Sequence, residues 1–225
     1  MCGRYTLEKT GDELAKRFRV LRDPPPALEP RYNVAPTQAV VTVTAEGERR
    51  LERMTWGLIP RWAKDPRMGS KLINARAETL ADKPAFRGAL KHRRCLIPAD
   101  SFYEWTAAQG GKAKQPVRVT LASGEPFAFA GLWETWTPPE GGDAVKSCTI
   151  ITTAPNALMA NLHHRMPVIL TQEAEDAWLD PSITEPEQLL PLLAPYPAEG
   201  MTWYHVSPLV NSPANEGPQL ALPLE

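Results

Sequence analysis

The order of apolar and polar residues predicts many short strands and a few short helices. A capping box at residues 10–13 is followed by Leu14 and Phe18 at helical spacing, and the prolines at 24–26 must end that pattern. The expected first helix therefore spans about residues 11–22. Further helices are predicted over 84–90, 155–162, 173–179 and 187–193.

Strands dominate the rest of the pattern. Residues 40–43 and 53–58 flank a Glu46-Gly47 turn and predict a hairpin. Further strands are predicted over 95–97, 102–105, 117–121, 127–132, 148–153, 168–170 and 202–206. Strands and helices do not alternate regularly, so we expect one α+β domain over residues 1–225, with a mixed, barrel-like sheet core flanked by short helices. The prolines after residue 206 predict an irregular C-terminal wrap.

Composition narrows the class of protein. The chain has 225 residues, of which 43% are hydrophobic and 23% charged, as in ordinary globular proteins. No apolar run approaches the roughly 18–20 residues of a membrane span, and the N-terminus lacks the apolar core of a signal peptide. The odd cysteine count (Cys2, Cys95 and Cys148) predicts a reduced, cytoplasmic protein without a disulfide framework. No CxxC pair suggests a metal site.

Charge is distributed unevenly although the net charge is only −1. Residues 49–95 carry thirteen basic and four acidic side chains, whereas residues 96–225 carry five basic and fifteen acidic ones. A local charge of +9, interleaved with Trp56, Trp62 and Phe86, is typical of surfaces that bind single-stranded nucleic acid. Charge alone fits a solvated basic face equally well.

Four polar residues are candidates for chemistry. Cys2 follows Met1, so removal of Met1 would give it a thiol beside a free α-amine, which titrates near pH 8; an idle terminal cysteine is the simpler alternative. Asn74 and Glu104 lie in apolar surroundings; a buried Glu104 would have a raised pKa, although a lone strand glutamate is expected to face solvent. His163 is either a general acid/base or a loop histidine bonded to the backbone.

An arginine lies close in sequence to three of these candidates. Arg4, Arg76 and Arg165 follow Cys2, Asn74 and His163 by two residues each. The guanidinium group matches the geometry of a phosphate, so the recurrence suggests a phosphate-binding role beside each candidate. By contrast, Cys95 and Cys148 lie in apolar strands and are predicted to be core residues.

Seven motifs, in order along the chain, resemble those of the SOS response-associated peptidase (SRAP) family. They are MCGRY at 1–5, RYNVAP at 31–36, WGLIP at 56–60, INARAET at 73–79, CLIPAD at 95–100, FYEW at 102–105 and HHRMPVIL at 163–170. The resemblance covers residues 1–170, and residues 171–225 add helices, a late strand and the proline-rich wrap.

The resemblance implies a DNA-damage protein that binds single-stranded DNA and covalently traps abasic sites. The implied roles are nucleophile for Cys2 after Met1 removal, catalytic assistance for Asn74, Glu104 and His163, phosphate contacts for Arg4, Arg76 and Arg165, and base stacking for Trp62. Self-removal of Met1 and a lyase side reaction are also implied, without a cofactor or metal. We expect a cytoplasmic monomer, associated with the nucleoid when bound to DNA.

One position departs from the family pattern, in which an Asp usually follows the motif histidine. His164 occupies that place here, so His163 is expected to be less basic than in the family pattern, and alignment of the catalytic role to His164 instead stays open.

Two other functions remain open. A cysteine amidohydrolase of the N-terminal-nucleophile (glutaminase-like) type also begins Met-Cys-Gly, and would use the α-amine of Cys2 as its base. A non-catalytic module that binds single-stranded DNA would use the same basic, tryptophan-containing surface.

Overall fold

A closed barrel and a second antiparallel sheet make up most of the protein. The structure is a computed structural model that describes residues 2–21, 27–106 and 114–224. The strands in these ranges are β1 (Tyr5–Leu7), β2 (Arg31–Val34), β3 (Ala39–Glu46), β4 (Glu48–Trp56), β5 (Asn74–Arg76), β6 (Arg94–Ala99), β7 (Ser101–Thr106), β8 (Gln115–Leu121), β9 (Phe127–Trp136), β10 (Val145–Thr153), β11 (Met166–Pro167), β12 (Ile169–Leu170) and β13 (Met201–His205). The α-helices are α1 (Gly11–Arg17), α2 (Arg87–His92), α3 (Gln172–Leu179) and α4 (Pro186–Leu189).

The barrel consists of five strands in the order β10-β4-β3-β6-β9, closed by the pairing of β9 with β10. The β4–β10 pair is parallel, and the other four pairs are antiparallel. The second sheet has the order β13-β8-β7-β1-β2. These pairings confirm the predicted α+β class with a mixed, barrel-like sheet.

Strand β10 changes partners along both of its edges. On one edge β4 pairs at Ser147 and Cys148, and β5 continues the same parallel edge from Ile150 to Thr152. On the other edge β9 pairs up to Ile150, and β11 takes over at Thr152. The chain between β4 and β5 therefore leaves the barrel as a long loop and returns to the same edge. That loop carries four of the thirteen basic side chains of residues 49–95, namely Arg61, Lys64, Arg67 and Lys71.

Only Asp100 separates β6 from β7, so the chain passes directly from the barrel wall into the second sheet. One hydrophobic core runs through both parts and includes residues from Cys2 to Met201. At its centre the ring of Tyr5 packs against Trp56 and Phe129, with centroid separations of 5.4 and 5.8 Å. Cys95 and Cys148 are fully buried in this core, as predicted.

The C-terminal wrap covers the other face of the second sheet. Tyr103 on β7 packs there with Val206 and Val210, and its hydroxyl donates to the carbonyl of Tyr32 at 2.9 Å. Short 3-10 turns at Pro208–Asn211 and Pro218–Leu220 carry the chain across this face. The expected irregular, proline-rich segment is therefore a packed part of the fold.

The predicted hairpin and strands are confirmed, with small shifts at their ends. Helix α1 has the predicted capping box but ends at Arg17, because Phe18 caps it and Arg19 adopts a positive φ of 56°. The prolines expected to stop it lie outside the described residues. Helix α2 begins three residues later than predicted, and the strand predicted over 168–170 is shortened to β12, which Val168 separates from β11.

The helix predicted over residues 155–162 is wrong. Only a 3-10 turn at Met159–Asn161 forms there. The side chain of Asn156 accepts from the N–H of Met159 at 2.8 Å and donates to the carbonyl of Tyr196 at 2.6 Å, so Asn156 bonds to the start of the short turn and does not lie inside a longer helix. The helix predicted over 187–193 divides into α4 and a 3-10 turn, where Pro191 cannot donate a helical hydrogen bond.

Strands β1, β2, β5 and β11 were not predicted, because they are short and their apolar positions do not alternate clearly. Among the helices of the described ranges, none combines the length and apolar character that a membrane crossing needs.

A close approach of two glycines fixes the start of the long loop. Gly57 has φ of +131°, and a Cβ added there would lie 2.7 Å from the carbonyl oxygen of Gly69. We expect Gly57→Ala to lower the free energy of unfolding by about 3 kcal/mol or more. Gly47 also has a positive φ, of +90°, but open space around it, so Gly47→Ala should cost only about 1 kcal/mol. Urea denaturation of both variants measures the difference, and equal costs would contradict the predicted clash.

Candidate functional site

The N-terminal segment lies between the barrel and the second sheet. The side-chain Nδ2 of Asn74 donates to the carbonyl oxygen of Cys2 at 2.9 Å, and Asn74 is fixed by the pairing of β5 with Ile150 of β10. On the other side, the N–H of Tyr103 donates to the carbonyl of Arg4 at 2.9 Å and extends the β1–β7 ladder. Asn74 therefore holds the backbone at Cys2 and the second sheet holds it at Arg4, and the side chain of Cys2 is fully buried.

Glu104 is buried, so the expectation that it faces solvent is wrong. Only 3% of its surface is exposed, because it lies on the same face of β7 as the core residue Phe102. Burial raises the pKa of its carboxyl group. Burial and, next, the nearby charge of Glu104 also raise the pKa of the Cys2 thiol, so the two groups are electrostatic neighbours. Cys2 is accordingly a neutral thiol at physiological pH.

His163 follows the 3-10 turn at Met159–Asn161 and is held by its own loop. Nδ1 of His163 lies 3.0 Å from the backbone nitrogen of Arg165 and 3.1 Å from the carbonyl oxygen of the same residue, so the tautomer of the ring decides whether Nδ1 accepts or donates. The ring stacks on exposed His164 with a centroid separation of 4.3 Å. Burial lowers the pKa of His163, and the positive charges of His164 and Lys114 add to that effect.

The four predicted DNA contacts fall into two groups. Arg76 and Trp62 are exposed, Trp62 by 56%. Arg4 instead makes internal bonds, with Nη1 donating to Oδ1 of Asn33 at 2.6 Å and to the carbonyl of Val210 at 2.7 Å. Burial lowers the pKa of its guanidinium group.

Arg165 is also largely enclosed, with 12% of its side chain exposed. Its Nη1 and Nη2 donate to the two carboxylate oxygens of Glu78 at 2.7 and 2.9 Å. Nη2 also donates to the carbonyl of Thr152 at 2.6 Å. Since Thr152 pairs with Arg76 in the β5–β10 register, the two arginines belong to the same end of β10.

The basic segment divides into structural and exposed cations. Arg94 is buried and donates to four backbone carbonyls, and Arg93 pairs with the buried carboxylate of Glu134 at 2.9 Å. The exposed cations between residues 61 and 91 are Arg61, Lys64, Arg67, Lys71, Arg76, Lys83, Arg87 and Lys91. The solvated-face interpretation therefore describes part of the segment only.

Sequence reasoning missed two charged residues near the site. Glu78 lies within the INARAET motif at 73–79. Its pairing with Arg165 joins residues 87 positions apart, so the order of residues along the chain could not reveal it. Lys114 acts electrostatically on both Glu104 and His163, and nothing in its surrounding sequence marks it. In the described part of the chain, no cluster of His, Cys, Asp or Glu is arranged to hold a metal ion.

Comparison with known proteins identifies the family. A family model described as SOS response associated peptidase (SRAP) matches residues 1–213. The chain belongs to the SRAP family. Its motifs, read in order along the sequence, are therefore family motifs, and the resemblance stated from them is confirmed.

Several named relatives match this SRAP chain along nearly its whole length. Abasic site processing protein YoqW of Bacillus subtilis is 52% identical over 222 residues, which cover 98% of each chain. YedK of Escherichia coli, with the same description, is 32% identical and covers both chains completely. HMCES of Pongo abelii is 32% identical, and the match covers this chain completely and 77% of the relative.

Solved structures agree with the SRAP architecture described above. A crystal structure of a protein from Bacteroides thetaiotaomicron matches with a TM-score of 0.89 and 28% identity, covering both chains completely. Another, from Bordetella bronchiseptica, has a TM-score of 0.77 and 27% identity and covers 92% of this chain and all of that one.

The stacked His164 provides a test of how the site tunes His163. In His164→Asp a carboxylate replaces a ring that becomes cationic, so we expect the pKa of His163 to rise from its depressed value. An NMR titration of the histidine ring resonances, assigned with His163→Gln, measures the shift. His205→Asp on the exposed strand β13 is the control and should leave His163 unchanged. An unaltered His163 titration in His164→Asp would show that the stacking does not tune it.

Proposed function

We propose that this SRAP-family protein processes abasic sites in DNA and covalently traps them in single-stranded DNA through Cys2, once Met1 has been removed. The observation that carries the proposal is the anchoring of the N-terminal backbone, by Asn74 at Cys2 and by the β1–β7 ladder at Arg4, beside the buried carboxyl of Glu104. The names of the relatives, abasic site processing proteins, support the substrate.

The chemistry uses both nucleophiles of an N-terminal cysteine. The α-amine attacks the aldehyde of the ring-opened deoxyribose to give a carbinolamine, which loses water to form an imine. The thiol then adds across the C=N bond, with sulfur bonding to carbon and the proton passing to nitrogen. The product is a five-membered thiazolidine, and the net change is the loss of one water. Only a cysteine with a free α-amine can close this ring.

The surrounding groups supply positions and protons. Glu104, whose raised pKa keeps its proton to a higher pH, donates it to the departing hydroxyl of the carbinolamine. His163, whose lowered pKa keeps its ring neutral, accepts a proton where the reaction releases one. Asn74 holds the Cys2 backbone, so amine and thiol face the aldehyde in a fixed orientation.

DNA binding requires cations and a stacking surface outside the reacting centre. Arg76 and Trp62 are exposed and take the phosphate and base contacts directly. Arg165 belongs to the same end of β10 as Arg76 and contacts a neighbouring phosphate. Arg4 contributes mainly by fixing the strand that follows Cys2, since its guanidinium is already bonded to Asn33 and Val210.

Two accompanying activities follow from the same groups. Hydrolysis of the peptide bond between Met1 and Cys2 is the self-processing step that exposes the amine. The imine stage also permits β-elimination of the 3′ phosphate, a lyase side reaction. We assign the protein to the cytoplasmic DNA-damage response, where it acts as a monomer.

The two alternative functions make different predictions. The glutaminase-like fold needs stacked layers of long alternating strands and helices, whereas the described residues form a closed barrel with an antiparallel sheet, which favours abasic-site processing. Glutamine hydrolysis without a DNA adduct would select the amidohydrolase. DNA affinity without a covalent product would select the binding module.

Cys2→Ala tests the crosslinking step. The parent protein, incubated with single-stranded DNA containing an abasic site, should give an adduct that survives denaturing electrophoresis and adds the mass expected for loss of one water. Cys2→Ala retains the amine after Met1 removal, so we expect an adduct only when borohydride reduces the imine. Intact-mass measurement before the reaction shows whether Met1 has left.

Cys95→Ala is the matched control, because it removes a thiol that has no α-amine beside it. It should form the adduct as the parent does. If Cys2→Ala also forms a stable adduct without borohydride, the thiazolidine mechanism is wrong.

Arg76→Ala tests the exposed phosphate contact. Loss of one phosphate contact should reduce the salt dependence of single-stranded DNA binding by about 0.7 in the slope of log K against log salt. Affinity should fall similarly for all DNA sequences. Fluorescence anisotropy at several salt concentrations measures the slope, with Lys16→Ala on the exposed face of α1 as a control of equal charge change. A slope equal to that of the control would remove Arg76 from the DNA contacts.

A further inference from the structure

Arg165 and Glu78 form an ion pair in which the arginine is enclosed and the glutamate is largely exposed. Both terminal nitrogens of Arg165 face both oxygens of Glu78, at 2.7 and 2.9 Å, in a fork-to-fork arrangement. Arg165 is 12% exposed, whereas Glu78 is 50% exposed. Arg165 is also bonded to the carbonyl of Thr152 in the barrel wall, so its position does not depend on Glu78. Glu78 lies on a three-residue 3-10 turn.

The surroundings of Glu78 are those of an anion-binding site. The hydrogen bonds from Arg165 lower the pKa of its carboxyl group, and the charge of nearby Arg76 adds to the effect, so Glu78 is ionised at neutral pH. A carboxylate in this fork presents two oxygens as two phosphate oxygens would. Glu78 therefore occupies the site that a DNA phosphate would need on Arg165.

We propose that Glu78 is an internal competitor for the DNA backbone: its carboxylate fills the anion site of Arg165 in the free protein, and a phosphate of the bound strand displaces it. This inference rests on the proposed function, because it assigns the phosphate to the strand trapped at Cys2. Arg165 therefore pairs with one anion in each state: with the carboxylate of Glu78 before DNA binds and with a phosphate afterwards. A polyanion that no other group holds in place binds Arg165 only weakly, because it must first displace Glu78. A phosphate that Arg76 and the rest of the site hold in place displaces the carboxylate.

The exchange is feasible because the pair is weak on its exposed side. Ion pairs with a half-exposed carboxylate contribute little to stability, since water solvates the released carboxylate. Breaking the pair should therefore weaken DNA binding by only a small factor, about fivefold. Removal of the competing charge should recover that factor.

The test uses Glu78→Gln, which keeps the side-chain size and one acceptor oxygen but lacks the charge. We expect it to bind undamaged, fluorescently labelled oligothymidylate about fivefold more tightly than the parent at moderate salt. Asp82→Asn removes the same charge from an exposed position four residues later and should change affinity less than about twofold. Glu78→Asp keeps the charge on a shorter side chain, which cannot bridge both nitrogens as well, and should lie between the parent and Glu78→Gln.

A double-mutant cycle separates competition from general charge repulsion. In an Arg165→Ala background the anion site is gone, so Glu78→Gln should improve binding no more than Asp82→Asn does. A gain that persists undiminished in that background overturns the inference. So does weaker binding by Glu78→Gln, because Glu78 would then hold Arg165 in its binding position.

Adduct formation with abasic DNA, measured in parallel, separates this inference from the proposed function. If the parent forms the adduct but Glu78→Gln matches Asp82→Asn in affinity, only the competitor role fails. If Glu78→Gln tightens binding and no variant forms an adduct, only the covalent function fails. Absence of DNA binding in the parent and every variant overturns both.

Discussion

The pairing of strand β10 is the constraint on which the rest of the structure depends. Its two edges together contact four strands, and one edge passes from β4 to β5 without a change of direction. The register fixes Asn74 opposite Ile150 and Arg76 opposite Thr152. The same strand provides the carbonyl that holds Arg165. A single ladder thus fixes the group that anchors Cys2 and the two cations beside it, because backbone hydrogen bonds leave little freedom along the strand.

The positions of these side chains leave several polar groups buried. Oδ1 of Asn74 and Nε of Arg165 have no hydrogen-bond partner among the described residues, and the carboxyl of Glu104 is almost completely enclosed. Each such group costs free energy of folding when it leaves water without full compensation. The large core around Tyr5 and Trp56 compensates for them, since burial of big side chains is the main favourable term in folding. Local polar cost within an apolar scaffold is the usual arrangement at functional sites.

The sequence predicted the elements that neighbouring residues determine, and it did not predict those that depend on residues far apart along the chain. The β3–β4 hairpin was predictable, because its valine-rich strands and its Glu46-Gly47 turn are local signals. Strand β5 was not, because three residues give no periodicity and its partner lies more than seventy residues away. The motifs identified Asn74, Glu104 and His163 as candidates, but the direction in which Glu104 points depends on which face of β7 meets the core. The Arg165–Glu78 pair, which joins two exposed-looking charges, could be found only from the folded chain.

Burial of Cys2 bears on how the aminothiol of the proposed mechanism would be kept from side reactions. Burial raises the pKa of its thiol, so the thiolate that would be oxidised or alkylated is scarce, and the ionised form of Glu104 raises that pKa further. The proposed chemistry does not need a free thiolate, because the thiol adds to an imine carbon that is already electrophilic and its proton passes to the adjacent nitrogen. In the proposed chemistry Glu104 becomes ionised once it has donated its proton to the departing hydroxyl, and that charge helps to keep the neighbouring thiol protonated until it adds to the imine. The enclosure that keeps the Cys2 thiol protonated is therefore compatible with the proposed ring closure on an aldehyde of a bound strand.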